Sequence, residues 1–186
     1  MSDVYVPPGA QKKLLDLARQ TLEDTVRGSL RRVEEIQDSS LQSSDYGAFV
    51  SLHKRNELRG CIGTCTPKLP LYLTVIAMTE AAASRDRRMK PVFVSELDDI
   101  RIGITILSPL EIARNPLSLV VGTHGLHIAR GKTRGVLLPQ VASQQGWDIR
   151  QFLKQTCLKA GLHGDAWREP DTRISSFTAL IIEESL

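Results

Sequence analysis

The chain has 186 residues, 41% of them hydrophobic and 24% charged, which suits one globular domain that can bury a sizeable core without disulfides. Its net charge of +3 and pI near 8.9 fall short of the dense basic patch of a dedicated DNA binder. Three cysteines, an odd number spread along the chain, argue against a disulfide framework and for a reducing, cytoplasmic setting, and neither a signal-peptide pattern nor an apolar run near the ~18 residues of a membrane span is present.

Taken in order, Pro7-Pro8-Gly9 opens a helix running to about Arg27, with Leu14, Ala18, Leu22 and Val26 recurring every fourth residue. Gly28-Ser29 is a stop signal, although Leu30 and Val33 continue the apolar stripe. Residues 34–45 are polar and aperiodic and read as a linker. Residues 1–45 are thus helix plus linker, and residues 46–186 the core of a single domain, with room for a smaller lobe within it. Tyr46–His53 and Leu58–Thr64 read as the two arms of a hairpin around a polar turn at 54–57. Cys65–Pro70, a turn with two prolines, releases the chain into a helix from Leu71 to about Ser84, whose alanines allow it to cover the hairpin closely.

A charged loop, Arg85–Pro91, leads to Ile100–Leu107, where Ile100, Ile102, Ile104 and Ile106 alternate as in a half-buried strand. Residues 109–116 read as a connection. Strands follow at Leu126–Ala129 and Val136–Leu138, joined through Gly131–Gly135. A short polar helix after Pro139 precedes a longer one opened by Asp148, with Ile149, Phe152, Leu153, Cys157 and Ala160 facing inward and Gly161 at its end. Ile174–Ile182 reads as one final strand. Hairpins interspersed with helices favour an α+β fold with a mixed, largely antiparallel sheet flanked by helices over a doubly wound parallel one.

Several phrases match one family in order. They are Leu58-Arg-Gly-Cys-Ile-Gly63, Glu96-Leu97, His124-Gly125-Leu126, Leu137-Leu-Pro-Gln-Val-Ala142, Trp147-Asp148, Phe152-Leu153 and Cys157-Leu-Lys-Ala-Gly-Leu162. From about residue 10 to the C-terminus the chain resembles the AMMECR domain, whose prokaryotic members are called AmmeMemoRadiSam system protein A. The resemblance implies two lobes with a cleft whose wall carries the 58–63 phrase, and no established reaction. It also implies a shared pathway with Memo-like and radical SAM proteins. Where the family has Asp-Pro-Arg-Phe, this chain has Asp86-Arg87-Arg88-Met89: the aspartate and arginine are kept, the proline and aromatic are not.

The residues themselves offer two chemistries. A thiol reacts well only beside a cation, a histidine or a helix N-terminus. Cys61, His124 and Asp86 are therefore the candidate catalytic set, with Gly60 and Gly63 leaving room for backbone N–H donors. Alternatively Arg59 and Arg88 hold a carboxylate or phosphate, with Gly60, Gly63 and Gln140 lining the same cleft. In a regular strand Arg59 and Cys61 would share a face. A small anionic ligand or a partner segment is the first reading, a thiol-dependent enzyme the second, a regulatory protein- or nucleic-acid-binding module the third. The sequence points to no metal and no cofactor: Cys61 and Cys65 lack zinc spacing, the four histidines are scattered, and no phosphate-loop pattern occurs. Few aromatics accompany the basic loop at 85–90, which argues against nucleic acid.

Overall fold

The computed structural model describes residues 3–29, 34–55 and 57–185. The chain divides into two compact units. The larger comprises Val4–Leu107 with the C-terminal segment from Leu180, and the smaller is built on Ser108–Ala179. No helix of the described residues is long and apolar enough to cross a membrane.

In the larger unit, helix α1 (Pro8–Arg27) starts with proline at its first position, where no N–H is required. It ends on Gly28 at φ 69°, with the Ser29 amide returning to the Asp24 carbonyl. Ala10, Leu14, Ala18 and Leu22 are buried along one stripe. Leu30 and Val33 lie outside the described residues. The polar linker contains a single helical turn, α2 (Ser39–Gln42), capped by Asp38 and anchored by fully buried Leu41. Strands β1 (Gly47–Lys54) and β2 (Glu57–Thr64) form the hairpin, with Arg55 in its turn at φ 50°. Helix α3 (Leu71–Ser84) packs on both strands and on α1. A 3₁₀ turn at Val94–Asp99 feeds β3 (Ile100–Leu107).

The sheet of this unit has the order β2-β1-β3-β8, with β8 spanning Ala179–Glu183. Strand β1 is antiparallel to both β2 and β3. The isoleucines of β3 join α1 and α3 in one core. Half-burial does not describe β3, because Gly103, Thr105 and Leu107 on its other face are buried as well. Arg19 on α1 locks the sheet edge: it pairs with Glu184 and donates to the Leu97 and Ile100 carbonyls, while Glu184 accepts the Ile102 amide.

The smaller unit carries a second four-stranded sheet, in the order β4 (Glu111–Ile112), β7 (Arg173–Phe177), β5 (Gly125–Arg130), β6 (Thr133–Leu137). Strand β7 is antiparallel to both β4 and β5, and β5 to β6. Helices α4 (Pro139–Gln144) and α5 (Ile149–Lys159) flank it, and Asp148 caps α5 by accepting the Gln151 amide at 2.7 Å. Phe152, Leu153 and Cys157 pack with Leu126, Ile128 and Ile174 in a separate core.

Two further expectations give way. The final strand is two strands in two different sheets, broken at Thr178, whose amide donates to Ser108 Oγ while its carbonyl accepts the Ser108 amide, both at 3.0 Å. The connection at 109–116 contains β4, whose two residues are too few to leave a periodic signal.

Candidate functional site

Strand β2 is an edge strand, so alternate backbone groups along it lack a strand partner. At Cys61 two side chains take that place. The Cys61 N–H donates to Asp86 Oδ2 at 2.9 Å, and an Arg88 Nη donates to the Cys61 carbonyl at 2.8 Å. Asp86 follows the last turn of α3 and is buried. It also accepts the Arg88 amide, Nε and Nη at 3.1, 2.9 and 2.7 Å. Three residues from two elements thus form one hydrogen-bonded cluster, without the proline of the usual family phrase.

The electrostatics follow from this geometry. Asp86 is held far below the usual carboxylate range, first by the Arg88 guanidinium and then by the Cys61 and Arg88 amides, against the cost of its burial. Arg88 is held more firmly protonated. Asp86 contributes most, against the cost of partial burial, and neighbouring Cys61 adds a smaller share in the same direction. Yet 59% of the Arg88 side chain remains exposed, against 3% of Asp86. Asp86 is a buried anchor and Arg88 an exposed, fixed cation beside a half-buried thiol.

Arg59 is occupied differently. The β1–β2 register slips between Leu52 and His53, so that Leu52 faces Gly60 and His53 faces Leu58, with Arg59 bulged between them. The two-residue spacing from Cys61 therefore does not set a common face. Arg59 grips Glu96 through Nε at 3.1 Å and Nη at 2.8 Å, and its Nη groups donate to the Lys90 and Pro91 carbonyls at 2.7 and 2.9 Å. Glu96 is drawn down to about 2, chiefly by Arg59, then by the Phe93 amide and Lys54, against desolvation. Glu96 belongs to the Glu96-Leu97 phrase, but nothing in its spacing pairs it with Arg59. The usual N-terminal capping pattern would have flagged it, but Phe93 stands where a serine or threonine would.

Both glycines of the motif answer to packing. A β-carbon on Gly60 would stand 2.3 Å from the Ala82 carbonyl oxygen of α3, and one on Gly63 would stand 2.2 Å from Phe49 Cγ. Glycine in a strand does mark a close approach here, and the approaching groups are a helix backbone and a cross-strand ring. Around Cys61 the sheet carries small residues: Cys61 faces Ser51, and Ser51 faces Gly103 on β3.

His124 and Gln140 belong to the smaller unit. His124 Nδ1 accepts the Val120 amide at 2.9 Å, which commits the lone pair of the neutral ring. Gln140, in the first turn of α4, buries an Oε1 without a hydrogen-bond partner. Cys61, Asp86 and Arg88 are brought together within the larger unit, and Arg59, on the same strand as Cys61, forms a second cluster with Glu96 of the 94–99 turn.

A family model described as AMMECR1 matches residues 15–182. The chain belongs to the AMMECR1 family. A protein of Methanothermobacter thermautotrophicus is 42% identical over 181 residues, covering 93% of each chain. One from Thermococcus kodakarensis is 40% identical, over 92% of this chain and 88% of that one. The crystal structure of the uncharacterized protein PH0010 from Pyrococcus horikoshii superposes with a TM-score of 0.84 at 36% identity, covering 94% of this chain and 91% of that one. The α+β architecture is thus the fold of this family.

Proposed function

We propose that the Cys61–Arg88 patch is a binding site for a small anion, with the Cys61 thiol at its margin. The supporting observation is that Arg88 is fixed by buried Asp86 and the Cys61 carbonyl while more than half of its side chain stays exposed. A guanidinium already ordered loses little entropy on binding a carboxylate or phosphate. One of its Nη groups takes part in none of these backbone and carboxylate bonds. Arg59 is left out of the ligand set because Glu96 and two carbonyls use its donors. Asp86 acts as the positioning residue, since an anchored, ionised carboxylate has no proton to give.

A thiol-dependent enzyme is the second reading, favoured by the Arg88 guanidinium bonded to the Cys61 carbonyl at 2.8 Å: a cation beside a thiol stabilises the thiolate. It does not call on His124, whose lone pair is committed. The family resemblance makes Memo-like and radical SAM proteins the first protein partners to test against the same patch.

The test is alkylation of Cys61 in a Cys65→Ser, Cys157→Ser background with iodoacetate and iodoacetamide across pH. The proposal expects iodoacetate, the anionic reagent, to gain at least several-fold on iodoacetamide relative to a model thiol, and Arg88→Gln to erase that gain. An unchanged ratio in Arg88→Gln overturns anion binding. A thiolate forming well below the ordinary cysteine range of about 8.5 supports the enzyme reading, and reaction only at high pH removes it.

A further inference from the structure

We propose that the smaller unit carries a second binding site, for an oxyanion borne on a flat apolar body, between Arg114, Arg173 and Trp167. All three line a pocket of about 470 Å³, together with Ile112 and Thr172. The short ladder between β4 and β7 pairs Ile112 with Ser175 and continues through an Ala113 amide to Ile174 carbonyl bond of 3.0 Å. The next residue along each chain is an arginine, Arg114 on one and Arg173 on the other. Like charges facing each other at the end of an antiparallel ladder repel, and an arrangement of this kind is relieved by an anion between them.

The pocket's own acids do not supply that anion. Glu169 is taken by Arg130 and by His163 at 2.7 Å, and Asp171 by Arg130 Nε at 2.8 Å. Among the described residues neither Arg114 nor Arg173 makes an ion pair. Thr172, between Asp171 and Arg173, is nine-tenths buried, and its Oγ1 has no hydrogen-bond partner, which is unusual for a buried hydroxyl. The apolar share of the site comes from Trp167, already stacked under Arg168 at 4.7 Å, and from Ile112, 67% exposed. Two guanidinium forks suit a phosphate ester or carboxylate, and an indole wall suits a planar body. The site lies wholly in the smaller unit and stands independently of the Cys61–Arg88 proposal.

The probe is 1-naphthyl phosphate, titrated into the full chain carrying Trp147→Phe, so that indole fluorescence reports Trp167 alone. The proposal expects a saturable response that weakens at least tenfold in Arg114→Gln and in Arg173→Gln and weakens with salt. Inorganic phosphate alone and 1-naphthol alone should each bind more weakly than the ester. No saturable response up to millimolar ester, or one unchanged in both arginine variants, overturns the site. A response to 1-naphthol equal to that of the ester overturns its anionic half, and equal binding of inorganic phosphate overturns its planar half. A fold check is built in: relief of repulsion should raise the melting midpoint of Arg173→Gln at low salt, and a midpoint lowered as much at high salt as at low contradicts the unpaired cation pair.

Discussion

At the scale of single residues, two carboxylates make stability sensitive to acid. The folded state lowers the affinity of both Asp86 and Glu96 for protons, so each adds stability that is complete above the unfolded carboxylate pKa and is lost as pH falls through the folded value. For Glu96, a fall from an ordinary 4.5 to about 2 corresponds to roughly 3 kcal/mol. Glu96→Gln should therefore lose on the order of 3 kcal/mol at pH 7 and much less at pH 2.5, as read by urea unfolding at the two pH values. Gly60→Ala is the steric counterpart. Its new methyl would meet a helix carbonyl that belongs to the α3 ladder and has little freedom to yield, so a loss on the order of 3 kcal/mol is expected in the same assay. A loss below about 1 kcal/mol would show that α3 and β2 can move apart.

At the scale of elements, amphipathic periodicity carries most of the information, and its failures are instructive. Helix α1 and the inner face of β3 are readable because burial on one face leaves a stripe every 3.6 or every 2 residues. Leu14, fully buried in the middle of α1, should cost about 2–5 kcal/mol when cut to alanine, measured by chemical denaturation. The outer face of β3 is buried too, yet Gly103 and Thr105 leave no apolar signature there. The bulge at Arg59 was equally hidden, because a register slip belongs to the pairing of two strands rather than to either strand.

At the scale of the molecule, the chain passes between its two sheets at Leu107–Ser108 and again at Thr178–Ala179. The reciprocal bonds between Ser108 and Thr178 fasten those two passages together in a buried setting. Ser108→Ala leaves the Thr178 amide without its acceptor and should destabilise by about 1–3 kcal/mol, whereas Ser108→Thr, which keeps the hydroxyl, should recover part of the loss in a thermal melt.

The sequence by itself determined the α+β class, the family, most helix and strand positions, and the Asp148 and Gly28 helix ends, because each depends on local propensity or on spacing along one chain. It also singled out Arg59, Cys61, Asp86 and Arg88, but alongside His124 and Gln140, which belong to the smaller unit. Only the tertiary structure decided what each one touches: Arg59 is committed to Glu96, and Asp86 and Arg88 stand in for a missing neighbour strand at Cys61. It alone split residues 174–182 between two sheets. The reason is the same in each case. Hydrogen-bond partners distant in sequence are chosen by strand order and register, and no periodicity within a segment encodes which edge it will occupy.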